Sequence, residues 1–86
     1  MVFVYVLQSR KNGRLYTGFT SDLEKRLAEH NSGHTKSIRY VRPFDLLYFE
    51  SCASRLDASR RERYLKSGVG REEFKSILAQ KKLAGA

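Results

Sequence analysis

The chain has 86 residues and a mass of 9.9 kDa, which suffices for one small domain and excludes a second. Hydrophobic residues make up 41% and charged residues 30%, a globular composition, and no apolar run approaches the roughly 18 residues of a membrane span. Cys52 is the single cysteine, which excludes an internal disulfide and a multi-cysteine zinc site.

The charge balance is strongly basic. Lys and Arg outnumber Asp and Glu by 17 to 9, which gives a net charge of +8 at pH 7. A small basic domain attracts polyanions, of which nucleic acid is the usual one, but charge alone does not separate a nucleic-acid binder from a domain that is basic for solubility. The start, Met1-Val2-Phe3, lacks a basic segment before an apolar one, so we expect no signal peptide, and the single cysteine fits a reduced cytoplasmic setting.

Three segments have the composition of β-strands. Val2–Leu7 is β-branched and aromatic, which predicts a strand covered on both faces. Asn12-Gly13 is the strongest short hairpin signal, so Leu15–Phe19 is predicted to return antiparallel to the first strand. Phe44–Glu50 is predicted to form the third strand.

Capping residues mark the first two helices. Ser21 opens a capping-box pattern completed by Glu24, so the first helix is predicted from Asp22 to His30. Ser54 is expected to cap the second helix.

Glycines separate the second helix from the third. Gly68 is expected just beyond the end of the second helix, and Gly70 is predicted to begin the third. Residues 1–80 then form one domain, and Lys81–Ala86 is expected to be a short frayed tail. The order β-β-α-β-α-α predicts an α+β fold in which helices flank a three-stranded antiparallel sheet.

Two ionisable residues of the first helix fall on the face that should be buried. Leu23 and Leu27 define its apolar stripe, His30 falls within that stripe, and Arg26 lies at its edge. A packed histidine and a snorkelling arginine would explain both, and for His30 alone this structural interpretation is favoured.

The second helix places a carboxylate in its apolar stripe. Ala58, Leu65 and Val69 define the stripe, and Glu62 falls inside it. A carboxylate is almost never fully buried unless it is paired. An ion pair with Arg26 is the structural explanation, and a metal ligand or catalytic carboxylate in a cleft is the functional one.

Two tyrosines are predicted to share one face of the hairpin. With a two-residue turn at Asn12-Gly13, Tyr5 faces Thr20, and Tyr5, Tyr16 and Gly18 lie on one face. A loop two residues longer would keep that face. Gly18 leaves a gap where a ligand backbone could approach, although core packing is the more frequent role of each tyrosine alone.

These residues carry a family resemblance. Phe3-Val4-Tyr5 and Tyr16-Thr17-Gly18, whose tyrosines are eleven residues apart, resemble the paired motifs of the GIY-YIG nuclease superfamily. Arg26, His30 and Glu62 follow in the order of that superfamily's further marks. The chain resembles its small single-domain bacterial branch.

The resemblance covers nearly the whole chain, from Val2 to Leu78, with two departures. Phe3-Val4 and Thr17 replace the usual neighbours of the two tyrosines. Some nuclease members carry an Asn downstream of the glutamate, and this sequence has none after Asn31.

The resemblance implies metal-dependent hydrolysis of phosphodiester bonds in DNA, with branched or damaged structures as candidate substrates. Glu62 would hold one Mg²⁺ or Mn²⁺ with waters and phosphate oxygens, and Arg26 would grip the scissile phosphate. Tyr5 would be the general base, with His30 and Tyr16 assisting proton removal or positioning water. A phenol acts as a base only where nearby positive charge favours the phenolate, which Arg26 and the metal could supply.

The stretch between His30 and Phe44 contains no acidic residue and is predicted to be a loop, here called the basic loop. It would grip the nucleic-acid backbone, although a solvated basic loop is an equally simple interpretation. The candidate nucleic-acid contacts are Gly18, Lys36, Arg39, Tyr40, Arg42 and Lys66.

Two other functions remain open. A basic nucleic-acid-binding module that does not cut is favoured by the missing Asn and the small size, and a nuclease subunit that depends on a protein partner is the third alternative. The partner is expected to be nucleic acid, DNA rather than RNA, with no membrane and a location at the nucleoid. The sequence leaves open whether the protein is a monomer or a dimer.

Overall fold

Two strands, β1 (Val2–Ser9) and β2 (Leu15–Thr20), form an antiparallel hairpin, and β3 (Phe44–Cys52) pairs antiparallel with the other side of β1. The computed structural model describes the backbone of residues 1–85 and the side chains of residues 1–80. The strand order β2-β1-β3 puts β1 in the centre, where its middle residues are buried as predicted. Both β2 and β3 are edge strands.

Three α-helices complete the fold: α1 (Leu23–Asn31), α2 (Arg55–Lys66) and α3 (Gly68–Gly85). The order β-β-α-β-α-α and the antiparallel sheet confirm the predicted α+β fold. The predicted frayed tail, Lys81–Ala86, lies outside the residues whose side chains are described. Over the described part of the chain, no helix is long and apolar enough to cross a membrane.

Alternate residues of β1 face opposite sides of the sheet and pack in two separate hydrophobic cores. Val4 and Val6 pack against α2 and α3, with Ala58, Leu65 and Phe74. The opposite face is covered by α1 and the basic loop, where Tyr5 and Leu7 pack with Leu23, Leu27, Ile38, Val41 and Phe44. The sheet therefore separates α1 from α2 and α3, and this decides which candidate residues can meet.

The turn between β1 and β2 is two residues longer than predicted. The N–H of Ser9 donates to the carbonyl of Arg14 at 3.0 Å, and the Ser9 hydroxyl accepts two backbone N–H groups inside the turn. Tyr5 consequently lies opposite Gly18, and the predicted pairing with Thr20 is wrong. The predicted common face of the hairpin residues is nevertheless confirmed, because a shift of two residues preserves it.

The N-cap of α1 also differs from the prediction. Asp22, and not Ser21, has the extended backbone of a cap, and its carboxylate accepts the N–H of Lys25 at 3.1 Å. Ser54 caps α2 as predicted, with its hydroxyl accepting the N–H of Asp57 at 3.1 Å.

The junction between α2 and α3 corrects two predictions. The third helix begins at Gly68 and not at Gly70, because the Ser67 hydroxyl accepts the Gly70 N–H at 3.1 Å and caps the new helix. Val69 is 71% exposed and does not extend the apolar stripe of α2. The helix break at Ser67 resets the direction of the chain, so the periodicity of α2 does not continue.

Candidate active site

A hydrogen-bonded cluster of three residues lies between β1 and α1. The hydroxyl of Tyr5 lies 3.0 Å from Nε2 of His30, and Nε of Arg26 donates to the same hydroxyl at 3.4 Å. Tyr5 and His30 are each 5% exposed, whereas the Arg26 side chain is 36% exposed. The guanidinium thus connects solvent with a buried phenol. We call these three residues the tyrosine cluster.

Local periodicity brings the tyrosine cluster together. Tyr5 faces α1 because it alternates with Val4 and Val6, which face the other core. Arg26 and His30 are four residues apart, so they lie one above the other on the same side of α1. The predicted burial of His30 and edge position of Arg26 are confirmed.

The second ring nitrogen of His30 faces a residue that the sequence did not single out. Nδ1 lies 3.1 Å from the hydroxyl of Thr35 in the basic loop. Burial lowers the pKa of His30, the positive charge of Arg26 lowers it further, and Glu29 only partly opposes this, so the imidazole is neutral at pH 7. Nothing in the sequence signals Thr35, because helical periodicity ends before it.

Gly18 leaves room for the hydroxyl of Tyr5. A Cβ atom at position 18 would lie 2.4 Å from the Tyr5 hydroxyl oxygen and 2.7 Å from the ring carbon that carries it. Real Cβ atoms do not approach other atoms so closely, so any other residue at position 18 would displace the phenol. The gap predicted at Gly18 is therefore filled in part by Tyr5 itself.

We expect Gly18→Ala to lower the free energy of unfolding by about 1–3 kcal/mol, the cost of overpacking a core, and to break the bond between Tyr5 and His30. Denaturant unfolding and the NMR signals of the His30 ring would measure both effects. Gly68→Ala is the matched control, because a Cβ there meets nothing within 4 Å. Equal stability of the two variants would contradict this role of Gly18.

Tyr16 lies on the face of the tyrosine cluster without bonding to it. Its ring packs edge-on against Phe44 with centroids 5.6 Å apart, and Phe44 packs against the ring of His30 at 6.0 Å. The Tyr16 hydroxyl accepts from the side-chain amide of Asn12 at 3.1 Å near the surface. Tyr16 therefore touches the cluster through Phe44 and presents its own hydroxyl toward solvent.

Glu62 lies on α2, across the sheet from the tyrosine cluster. One carboxylate oxygen accepts from the ammonium of Lys66 at 2.8 Å, and the Glu62 side chain is 22% exposed. The predicted ion pair between Glu62 and Arg26 is wrong, since Arg26 pairs with Glu29 at 3.7 Å. Glu62 faces the sheet, as helical periodicity predicts. Because α2 covers the face of the sheet opposite Arg26, the two side chains do not meet.

The neighbours of Glu62 on α2 show which edge of the sheet it approaches. Arg55 lies over the ring of Phe19 on β2 at 5.5 Å, whereas Arg61 bonds to Glu50 on β3 at 2.9 Å. Glu62 follows Arg55 by seven residues, two helical turns, and so lies on the same side of α2. Both Glu62 and the tyrosine cluster therefore border edge strand β2, from opposite faces.

The donor set limits how a metal ion could bind. Among the side chains that the structure describes, no three His, Cys, Asp or Glu residues come close enough together to hold one ion. Mg²⁺ is commonly bound through one or two carboxylates together with waters and substrate phosphates. Glu62 fits this mode, and its carboxylate already faces a cation, the ammonium of Lys66.

The basic loop lies on the same face as the tyrosine cluster. Ile38 and Val41 anchor it to the core around Tyr5, and residues Arg39–Val41 form a short 3₁₀-helix. The Arg39 guanidinium lies 5.2 Å from the centre of the ring of Tyr40, which is 70% exposed. Arg42 donates to the Arg39 carbonyl at 3.4 Å, and Lys36 is exposed. Lys66 stands apart from this group, on the other face.

A cavity of about 670 Å³ opens on the face opposite the tyrosine cluster, between β2, α2 and α3. Its floor is apolar and includes Leu65 and Phe74, and its rim carries the cations Arg14, Lys66, Arg71 and Lys75. Because Lys66 pairs with Glu62, this basic rim borders the candidate metal ligand.

Comparison with known proteins decides the family. Residues 1–75 match the GIY-YIG catalytic domain. The chain belongs to the GIY-YIG family. This family is a nuclease superfamily whose substrate is nucleic acid, and its members generally depend on a divalent metal ion. The suspected resemblance is confirmed.

Relatives of this GIY-YIG chain are UPF0213 proteins of bacteria. One from Desulfotalea psychrophila is 45% identical over 67 residues, which cover 74% of this chain and 59% of that protein. One from Staphylococcus haemolyticus is 37% identical over 78 residues, covering 87% and 92%. The solution NMR structure of a Bacillus halodurans UPF0213 protein is 34% identical, with coverage of 90% and 85% and a TM-score of 0.54. These names state a family and no activity.

Proposed function

We propose that this GIY-YIG protein is a metal-dependent endonuclease that hydrolyses phosphodiester bonds in DNA. The observation that carries the proposal is the buried hydroxyl of Tyr5, bonded to a neutral histidine on one side and to a guanidinium on the other. In such an arrangement the histidine can take the proton of the phenol, the guanidinium stabilises the phenolate that results, and the phenolate can take a proton from water.

Tyr5 serves as the general base in this proposal. Its own proton passes to Nε2 of His30, and its oxygen takes a proton from the attacking water. The water oxygen forms a bond to phosphorus, the bond from phosphorus to the leaving oxygen breaks, and the leaving oxygen takes a proton from solvent. His30 then releases to solvent the proton that it took from Tyr5, which restores the neutral ring. Arg26 stabilises the phenolate through Nε, and its remaining N–H groups bind the scissile phosphate.

Glu62 would hold one divalent ion, Mg²⁺ or Mn²⁺, which when bound stabilises charge on the phosphate and the leaving oxygen. The free edge of β2 is the place where one phosphate could be reached from both faces of the sheet, because β2 has a neighbour only on the side of β1. Gly18 and Tyr16 lie on this strand, and Tyr16 would position the attacking water. The basic loop and Lys66 would bind the flanking backbone.

A cleavage assay tests the proposed function. The purified protein would be incubated with supercoiled plasmid, single strands, nicked duplex, branched duplexes and RNA, with Mg²⁺, Mn²⁺ or EDTA. Metal-dependent cutting of DNA is the expected result, and the panel identifies the preferred structure. Binding without cutting on every substrate and metal would overturn the proposal.

One observation favours a second function, a nucleic-acid-binding module that does not cut or that cuts only with a protein partner. Glu62 is neutralised by Lys66 and has no contact with the tyrosine cluster in the described part of the chain. A partner or the substrate itself would then have to bring the two halves of the site together. Cutting that begins only on addition of a stoichiometric protein partner would support this alternative.

Removing the three cations of the basic loop together should weaken DNA binding and its salt dependence. The variant carries alanine at Lys36, Arg39 and Arg42. Each lost phosphate contact on duplex DNA reduces the slope of log K against log salt by about 0.9, so the slope should fall by up to about 2.7. Binding would be measured by fluorescence anisotropy over a range of salt concentrations.

A variant with the same loss of charge elsewhere is the control. Lys25, Arg60 and Arg63 are exposed and lie outside the basic loop. Their replacement by alanine should leave most of the salt slope intact. An equal fall in both variants would mean that net charge, and not the basic loop, determines binding.

A further inference from the structure

The hydroxyl of Thr35 lies against the ring nitrogen of His30 that points away from Tyr5. We propose that Thr35 is a positioning residue: it accepts a hydrogen bond from Nδ1–H of His30 and thereby keeps Nε2 free to accept the proton of Tyr5. The catalytic consequence rests on the proposed nuclease function, whereas the hydrogen-bond assignment does not.

The direction of the bond between Tyr5 and His30 follows from the neighbours of the Tyr5 hydroxyl. Within the described residues, that hydroxyl has two hydrogen-bond neighbours, Nε of Arg26 and Nε2 of His30. A guanidinium has no acceptor, so Arg26 can only donate. Because Tyr5 is almost completely buried, its O–H must donate to His30 Nε2.

The tautomer of His30 follows from that direction. A neutral imidazole carries one proton, so an accepting Nε2 requires the proton to reside on Nδ1. Nδ1 lies 3.1 Å from the Thr35 hydroxyl oxygen, which is therefore the acceptor. Three hydrogen bonds in series thus have a single consistent set of donors: Arg26 to Tyr5, Tyr5 to His30, and His30 to Thr35.

The charged surroundings of His30 keep it in the neutral form that this scheme needs. Burial lowers its pKa, and the Arg26 guanidinium on the same helix lowers it further, with a partial opposing effect of Glu29. Tyr5 faces it from β1 and Phe44 from β3.

Without the Thr35 hydroxyl, Nδ1–H would lose its acceptor among the described residues, and only the bond donated by Tyr5 would favour the proton on Nδ1. The proton could then move to Nε2, which would face the Tyr5 oxygen as a donor and block transfer from Tyr5. A positioned proton-transfer group contributes about 10²–10⁴-fold to a rate, and because part of the His30 rings would keep Nδ1–H, we expect a loss in kcat of about 10–100-fold.

The hydroxyl is separable from the backbone role of the same residue. The carbonyl of Thr35 accepts the N–H of Ile38 at 3.2 Å and so supports the loop whatever the side chain. Thr35→Val keeps the shape and the backbone bond but removes the hydroxyl, and Thr35→Ser keeps the hydroxyl.

The test is ¹⁵N NMR of the His30 ring at pH 7.5, combined with single-turnover cleavage. We expect Nδ1–H in the wild type and in Thr35→Ser, a raised share of Nε2–H in Thr35→Val, and a lower kcat only in Thr35→Val. The wild-type measurement stands by itself if Thr35→Val fails to fold.

The outcomes separate the two proposals. A wild-type ring protonated on Nε2, or a tautomer that is unchanged in a folded Thr35→Val, would overturn the positioning role even if the protein cuts DNA. The expected tautomers in a protein that cuts no substrate would support the hydrogen-bond assignment and overturn the nuclease function.

Discussion

Tyr5→Phe is expected to lower kcat for DNA cleavage by about 10²–10⁴-fold, the usual contribution of a general base. The substitution removes a hydroxyl that bonds to both His30 and Arg26 and leaves the ring in its place. DNA affinity should change little, because the buried ring of Tyr5 offers no surface to a polyanion.

A loss of stability has to be separated from a loss of chemistry in this variant. Without the hydroxyl, Nε2 of His30 is left without its donor, and an unsatisfied buried group costs about 1–3 kcal/mol. Tyr48→Phe is the matched control, because the Tyr48 hydroxyl donates to Glu50 at 3.2 Å on the opposite face of the sheet. Both variants should lose some stability, and only Tyr5→Phe should lose cleavage.

Single-turnover kinetics at saturating protein would measure the chemical step. Cleavage by Tyr5→Phe at the wild-type rate would remove Tyr5 from the role of base. Tyr16→Phe should then be examined, since its hydroxyl is the other phenol on this face. A large loss in Tyr16→Phe alone would exchange the roles of the two tyrosines.

The tyrosine cluster could be predicted from the sequence because the periodicities of a strand and of a helix determine which way its side chains face. Alternation along β1 puts Tyr5 on one face of the sheet, and the four-residue spacing puts Arg26 and His30 on one side of α1. The wrong register of the hairpin did not change the predicted face of Tyr5, Tyr16 and Gly18, because an error of two residues keeps each side chain on the same face of the sheet. The error itself arose because the turn has four residues and not two: the Ser9 hydroxyl accepts two backbone N–H groups inside it, and the Asn12 side chain accepts the N–H of Arg14.

The position of Glu62 could not be predicted in the same way. Helical periodicity shows that Glu62 faces the sheet, but it does not say which of the two faces α2 covers. That choice depends on how the chain passes from β3 into α2, and the sequence contains no local signal for it. The ion pair of Glu62 with Arg26, offered as the structural explanation for Glu62, therefore combined a correct local inference with an undetermined global one.

Thr35 escaped prediction for a different reason. It belongs to the basic loop, whose conformation is fixed by contacts of Ile38 and Val41 with the core and not by a repeating pattern. A hydroxyl that accepts from a buried histidine becomes visible only when the loop is placed over α1. The periodicity of a helix or strand therefore predicts which of its side chains reach a site. Loop residues that complete the site can be identified only from the tertiary structure.

Glu62→Gln is expected to abolish metal-dependent cleavage and to keep DNA binding. The amide retains the shape of the side chain but loses the charge that would hold a divalent ion. The broken pair with Lys66 is an exposed i, i+4 contact worth only about 0.3–0.5 kcal/mol, so the fold should be unaffected. Cleavage would be followed as a function of Mg²⁺ and Mn²⁺ concentration, and binding would be measured in EDTA.

The chain offers a closely matched control for this experiment. Glu72→Gln breaks a similar pair with Lys75, 3.3 Å apart, at a carboxylate that is 75% exposed on α3. It makes the same change in net charge and should cut like the wild type. If Glu62→Gln also cuts with the wild-type dependence on metal, the ion binds elsewhere and Glu62 has only a structural role. If the wild type and both variants bind DNA equally and none cuts, the protein is a nucleic-acid-binding module whose site, including Glu62, is completed only by a partner.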